Sequence, residues 1–177
     1  MVRGKEAKRV ERKYLPEFVY GGMDGVITTF AVVSGVVGAA LNPIIVLILG
    51  FANLTADGFS MSLSNYMSVK SRNEVLKKPE KNEYKTALVT FLAFVSMGFI
   101  PLISFIVASV TGSEQILRNQ FWLAVVFTGI ALFIIGWLKG IVTEKHRLRS
   151  ATQTLAVGSI AALLAFFSGK YISSLLG

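Results

Sequence analysis

The 177-residue sequence has no cysteine and a single histidine, His146. The first absence excludes disulfides and thiolate metal sites, and the second excludes any centre that needs several imidazoles. Charge is scarce as well. Only 16% of residues are Asp, Glu, Lys or Arg, where a soluble domain carries about a quarter. No nucleophile–base pair stands at a spacing that supports catalysis, so an enzyme is not expected. The opening stretch is basic but has no short apolar core ahead of a cleavage site, and it does not read as a removable signal peptide.

What is present is apolar. Hydrophobic residues make up 53% of the chain, Phe alone occurs 13 times, and the mean hydropathy is +0.62. Several runs reach the roughly 20 residues needed to cross a bilayer. These features predict an all-α integral membrane protein, a single transmembrane domain over residues 1–177. A basic segment at 1–22 precedes five spans, at approximately 23–41, 44–69, 86–110, 121–138 and 151–174. Pro43 restricts Asn42 and forces a tight turn between the first two spans. Gly98 and Pro101 predict a kink in the third. "TGSEQILRNQ" and "IVTEKHRLRS" read as loops, and Trp137 with Lys139 as an interfacial anchor and a snorkelling cation. Gly35 and Gly38, with Ala56, Ser60 and Ser64, suit close helix packing.

The net charge of +8 is distributed with the spans. Six Lys or Arg lie in residues 1–22, six in 70–85 and four in 139–149, leaving Arg118 and Lys170 elsewhere. With five crossings, all three clusters fall on one side. The positive-inside rule makes that side cytoplasmic, with the N-terminus inside and the C-terminus external. Clusters separated by spans do not form the continuous basic face that nucleic-acid binding requires.

Two acids interrupt the apolar runs. "GGMDGVITTF" places Asp24 at the mouth of span one, and "NLTADGFSMSLSNY" places Asp57 midway along span two. An ionised carboxylate at mid-membrane costs about 2.5–3.5 kcal/mol on insertion scales. The simplest use of such a position is to alternate between a proton and a metal ion. Helical spacing puts Asn53, Asp57, Met61, Ser64 and Ser68 near one face of span two, and Asp24, Thr28, Ala31 and Gly35 near one face of span one. With the two helices antiparallel, the expected track from inside to outside is Asp24, Asn65, Met61, Asp57, Asn53. Asp24 then stands nearest Asn65 or Ser68. Oxygen donors suit Mn²⁺, and the thioether of Met61 tilts the set towards Fe²⁺. The same residues also fit plainer roles: Asp24 as a helix cap, Asp57, Asn53 and Asn65 as interhelical hydrogen-bonders, Met61 as packing.

Taken together, "GGMDGVITTFAVVSGVVGA", "LILGFANLTADGFSMSLSNYMSVKSRNE", "FIPLISF" and "FIIGWLKGIVTEKHRLRSATQTLAVGSIAALLAFFSG" resemble the vacuolar iron transporter family, of the yeast vacuolar and plant nodulin-like type. The resemblance runs from about Tyr20 to Gly169. It implies a five-helix protomer, a homodimer with a pathway at or near its axis, and export of Fe²⁺ or Mn²⁺ from the cytosol against protons, with no permanently bound cofactor. Asp24 matches the family's pathway aspartate and Met61 its pathway methionine; Asp57, at a position commonly small in relatives, is read from its place in span two as a further ion or proton carrier that replaces the missing Glu charge about two turns away. Asn53, Asn65, Thr28 and Ser64 follow as further oxygen donors. Two departures stand out. Many members have Gly-Glu where this chain has Ser64-Asn65, and vacuolar members insert a helical metal-binding domain where this chain has only residues 70–85. The compact form suggests a prokaryotic plasma-membrane relative, with a vacuolar or other organelle membrane as the alternative. A membrane interaction protein that has lost transport and a passive cation channel are the rival functions.

Overall fold

The computed structural model describes residues 2–77 and 79–176, with side chains from residue 13 onward. Of the six basic residues at 1–22, all but Lys13 therefore lie outside the described side chains, as does Lys78. Six helices follow one another: α1 Val2–Gly38, α2 Pro43–Leu76, α3 Glu83–Gly98, α4 Ile103–Thr111, α5 Glu114–Val142 and α6 Arg147–Leu176. A single 3₁₀ turn, Ile100–Leu102, links α3 to α4. No strand occurs among the described residues. Among the described residues five segments are long and apolar enough to cross a membrane, α3 and α4 together making up one of them, Glu83–Thr111.

The breaks lie where local chemistry demands them. After Gly38 the chain turns through Ala40, which takes a left-handed φ of 54°. The side-chain oxygen of Asn42 then accepts the backbone N–H of Ile44 at 3.0 Å, and Pro43 opens α2 at the position where a missing N–H costs nothing. Pro101, which likewise cannot donate, converts the expected kink into the 3₁₀ turn between α3 and α4. Elsewhere the helices run further than expected. α1 begins at Val2, well before the membrane-length segment Lys13–Gly38. The polar stretch at 111–120 is a loop only around Gly112, and the one at 141–150 only over residues 143–146. Polar side chains here mark where a helix leaves the apolar layer, and the helix itself continues.

α1 is the central post, touching α2, α3, α5 and α6. It comes very close to α3: a Cβ on Gly21 would lie 2.6 Å from the Thr90 carbonyl oxygen, and one on Gly25 would collide with that of Phe94. Gly98, from α3, meets both Leu54 of α2 and the Gly25 carbonyl. Small residues let the α1 and α3 backbones converge beside Asp24, with the Leu54 side chain of α2 packed on the same point, as membrane helices require when lipid gives no hydrophobic drive for association. Above this point Phe30, Val33, Val46, Leu54, Phe94, Leu102 and Phe105 form one apolar core. Val19, Val26, Leu132 and Ile135 form a second between α1 and α5. At the end of the bundle where α2 passes into α3, the backbone N–H of Asn82 donates to the Tyr14 hydroxyl and Lys81 pairs with Glu17.

Candidate metal pathway

The α1–α2 register decides which polar groups meet. The Asn53 side-chain amide lies 3.4 Å from both Thr28 Oγ1 and Thr29 Oγ1. Asp24 lies four residues before Thr28, and Asp57 four residues after Asn53. In antiparallel helices of equal rise this places the two acids on the same level. This corrects the expected track. Asp24 faces the level of Asp57 and does not stand beside Asn65 or Ser68. The reason is the turn: α1 ends at Gly38 and α2 begins at Pro43, so both acids stand equally far from it.

The other candidates divide. Thr28 donates its hydroxyl proton to the Asp24 carbonyl at 2.9 Å, within its own helix, which leaves its lone pairs towards Asn53. Met61 stands one turn beyond Asp57, half-buried against the core that includes Leu54 and Phe94. Asn65 is turned away to α3, where its amide donates to Thr90 Oγ1 at 2.7 Å. Thr90 in turn donates to the Thr86 carbonyl. Asn65 thus acts as an interhelical tie. Ser64 is exposed on the outer face of α2. Of the small residues, Gly38 packs directly against the Phe166 backbone of α6, and the Gly35 carbonyl meets Gly169. Ala56 and Ser60 face outward with Ser64.

Asp24 is half-buried between helices, whereas Asp57 is exposed at the surface of the single chain. Thr55, Ala56, Ser60 and Ser64 share that exposure. The outward side chains of α6 are, by contrast, largely apolar, including Val157, Ile160, Leu164 and Phe167. The acid pair therefore opens onto a mixed polar face at mid-span. Among the described residues no three His, Asp or Glu side chains cluster; the polar groups that the α1–α2 register brings near one another are two carboxylates, the Asn53 amide and the Thr28 and Thr29 hydroxyls.

The sequence reading missed Thr29 and Thr90, the buried partners of Asn53 and Asn65. It also missed Glu17, buried two turns before Asp24, with Oε1 on Lys81 and Oε2 lacking a protein partner. Its seven-residue spacing from Asp24 was the available signal, hidden by its place within a basic segment.

A bundle with five segments long and apolar enough to cross a membrane among its described residues, and two acids levelled within them, is that of a polytopic helical membrane protein. The family model described as the VIT family matches residues 15–86 and 77–170, and the chain belongs to that family. Among its relatives is "Vacuolar iron transporter" of Plasmodium berghei (strain Anka), 25% identical over an alignment of 234 residues that covers 96% of this chain and 86% of the relative. "Vacuolar iron transporter 1" of Eucalyptus grandis is 25% identical, with 96% and 91% covered. "Vacuolar iron transporter homolog 4" of Arabidopsis thaliana is 26% identical over only 175 residues, yet 85% of it is covered. These relatives are named as transporters and not as enzymes. They also correct the prokaryotic plasma-membrane placement. The named relatives are eukaryotic vacuolar proteins, and the Arabidopsis homolog is itself compact. A short link at 70–85 is therefore no mark of a prokaryotic membrane.

Proposed function

We propose that this chain carries a divalent transition metal, Fe²⁺ or Mn²⁺, across the membrane and out of the cytosol. The observation that supports this reading most is the levelling of Asp24 with Asp57. Two carboxylates opposed at mid-span offer the hard donors and the negative potential that draw a divalent cation out of water. Asn53 and Thr28 lie one turn to one side, and Met61 one turn to the other. A site without His or Cys holds such ions weakly enough to release them, as transport requires. Two-fold pairing of the protomers would cover the polar outer face of α2 and duplicate every donor about a common axis. The basic ends of α1 and of the links after α2 and α5 set the cytosolic side.

Proton antiport is the coupling we favour, with Asp24 and Asp57 exchanging a proton for the ion. A passive cation pathway is the second reading. Asn65, which stands where many members have Glu, is engaged with Thr90 at 2.7 Å and offers no third titrating group. Metal flux into proteoliposomes, with and without an imposed pH gradient, separates the two. Flux that rises with the gradient supports antiport, and gradient-independent flux supports the passive pathway. Absence of flux for either metal under both conditions removes the transport reading.

A further inference from the structure

At the basic end of the bundle, α5 gives way to α6 through the four residues 143–146. This junction closes as a Schellman motif. Glu144 takes a left-handed φ of 53°, Lys145 N–H reaches the Gly140 carbonyl at 3.0 Å, and Glu144 N–H reaches that of Ile141. The Lys145 side chain leaves the turn beside the first turn of α6, where Arg149 emerges. Beneath them is a cavity of about 440 Å³, large enough for a small ligand by the usual range of binding pockets.

Its lining has one sign of charge. Lys139, Lys145 and Arg149 border it together with His146, and no carboxylate does. Among the described residues none of these cations has a carboxylate within ion-pair distance. Lys139 is half-buried, so its charge is only partly dispersed by water. Ser150 is buried in the cavity wall, and its hydroxyl makes no protein hydrogen bond among the described residues. The first N–H groups of the 30-residue α6 also start here. The earliest intrahelical bond is that of Ser150 N–H to the His146 carbonyl, so the preceding donors lack helical partners. Gathered cations without counter-ions and free donors at a helix start are complementary to a group with several anionic oxygens.

We propose that this cavity binds a phosphate group, that of an anionic phospholipid headgroup in the adjoining leaflet. Location favours the lipid over a free anion. Trp137 lies within one turn of Lys139, and Trp137, Ile141 and Leu148 are exposed on the same ends of α5 and α6, which places the cations at the level where headgroups meet acyl chains.

Thermal unfolding of the full-length protein in delipidated detergent tests the proposal. The midpoint is followed against rising phosphatidylglycerol, against phosphatidylcholine as the zwitterionic control, and against inorganic phosphate. We expect a saturable rise with phosphatidylglycerol and none with phosphatidylcholine. Arg149→Gln and Lys139→Gln should each raise the half-saturating concentration about fivefold, whereas Lys85→Gln, at another basic position, should leave it unchanged. If Arg149→Gln lowers the midpoint without lipid, Lys145→Gln on the link replaces it. A saturable response to inorganic phosphate alone, weakened by the same substitutions, keeps the site and makes a free anion its ligand. Equal half-saturation in parent and variants, or an equal loss with Lys85→Gln, overturns the site.

Discussion

Asn53 and Thr28 face each other across α1 and α2, with the amide nitrogen 3.4 Å from the hydroxyl oxygen. One helical turn away this pairing sets Asp24 opposite Asp57. Two acids, one half-buried and one exposed on the outer face of α2, are thereby set at one level of the bundle. Such a pair is relieved by a proton or by a cation, and this choice is the core of the proposed transport cycle.

Asp24→Asn removes the charge of the half-buried member with little change in volume. Metal flux in proteoliposomes should fall to background, while size-exclusion chromatography shows the same assembly as the parent. Parent-like flux would exclude Asp24 from the ion path.

Asp57→Asn acts on the exposed member. Flux should drop and its dependence on an imposed pH gradient should shift, because one of two carboxylates able to hold the proton is gone. Initial rates at a series of external pH values measure this. A profile that overlays the parent's would remove Asp57 from the proton step.

Met61→Leu nearly preserves volume, and as packing it should alter stability by less than about 1.5 kcal/mol. Leucine cannot replace a thioether ligand. Fe²⁺ rates should therefore fall more than Mn²⁺ rates, since sulfur matters more to the softer ion. Parent rates with both metals would make Met61 part of the core and nothing else.

Gly25→Ala drives a methyl group into the Phe94 carbonyl, whereas the same change at Gly35 finds its nearest neighbour at 3.6 Å. The first should destabilise by about 1–3 kcal/mol and disturb flux by parting α1 from α3. The second should unfold near the parent temperature. Thermal melts of both in one detergent compare them directly.

The lack of native cysteine makes sidedness simple to test. Glu80→Cys and Gln115→Cys should react with a membrane-impermeant thiol reagent from opposite faces of sealed vesicles. Labelling of both from one face contradicts five crossings.

The sequence made the crossings legible because bilayer thickness imposes a minimum apolar length, and Pro43 and Pro101 act through covalent geometry alone. Helix ends were less legible. Glu114–Gln120 is polar yet helical, since a helix leaving the apolar layer needs no apolar side chains to persist. The pairing of Asp24 with Asp57 was not read correctly for a related reason. Periodicity assigns residues to a face of one helix, but the level at which two faces meet depends on where each helix stops, and here that is set by Ala40 and Asn42. Asn65 looked like a donor on the pathway, and only the position of Thr90, 25 residues away, shows it to be tied to α3. Glu17 escaped notice because its buried state depends on Lys81, far along the chain.

The turn between Gly38 and Pro43 has a consequence at the opposite end of a ruler. None of its residues touches the acids, yet its length fixes their alignment. One added residue that extended either helix into this turn would displace its far part by about 1.5 Å and rotate it by about 100°, carrying Asp57 away from Asp24 while leaving both helices intact. The spacing of a hairpin between two helices is thus a tuning parameter of the proposed ion site, and a chain could lose that alignment there without altering either acid.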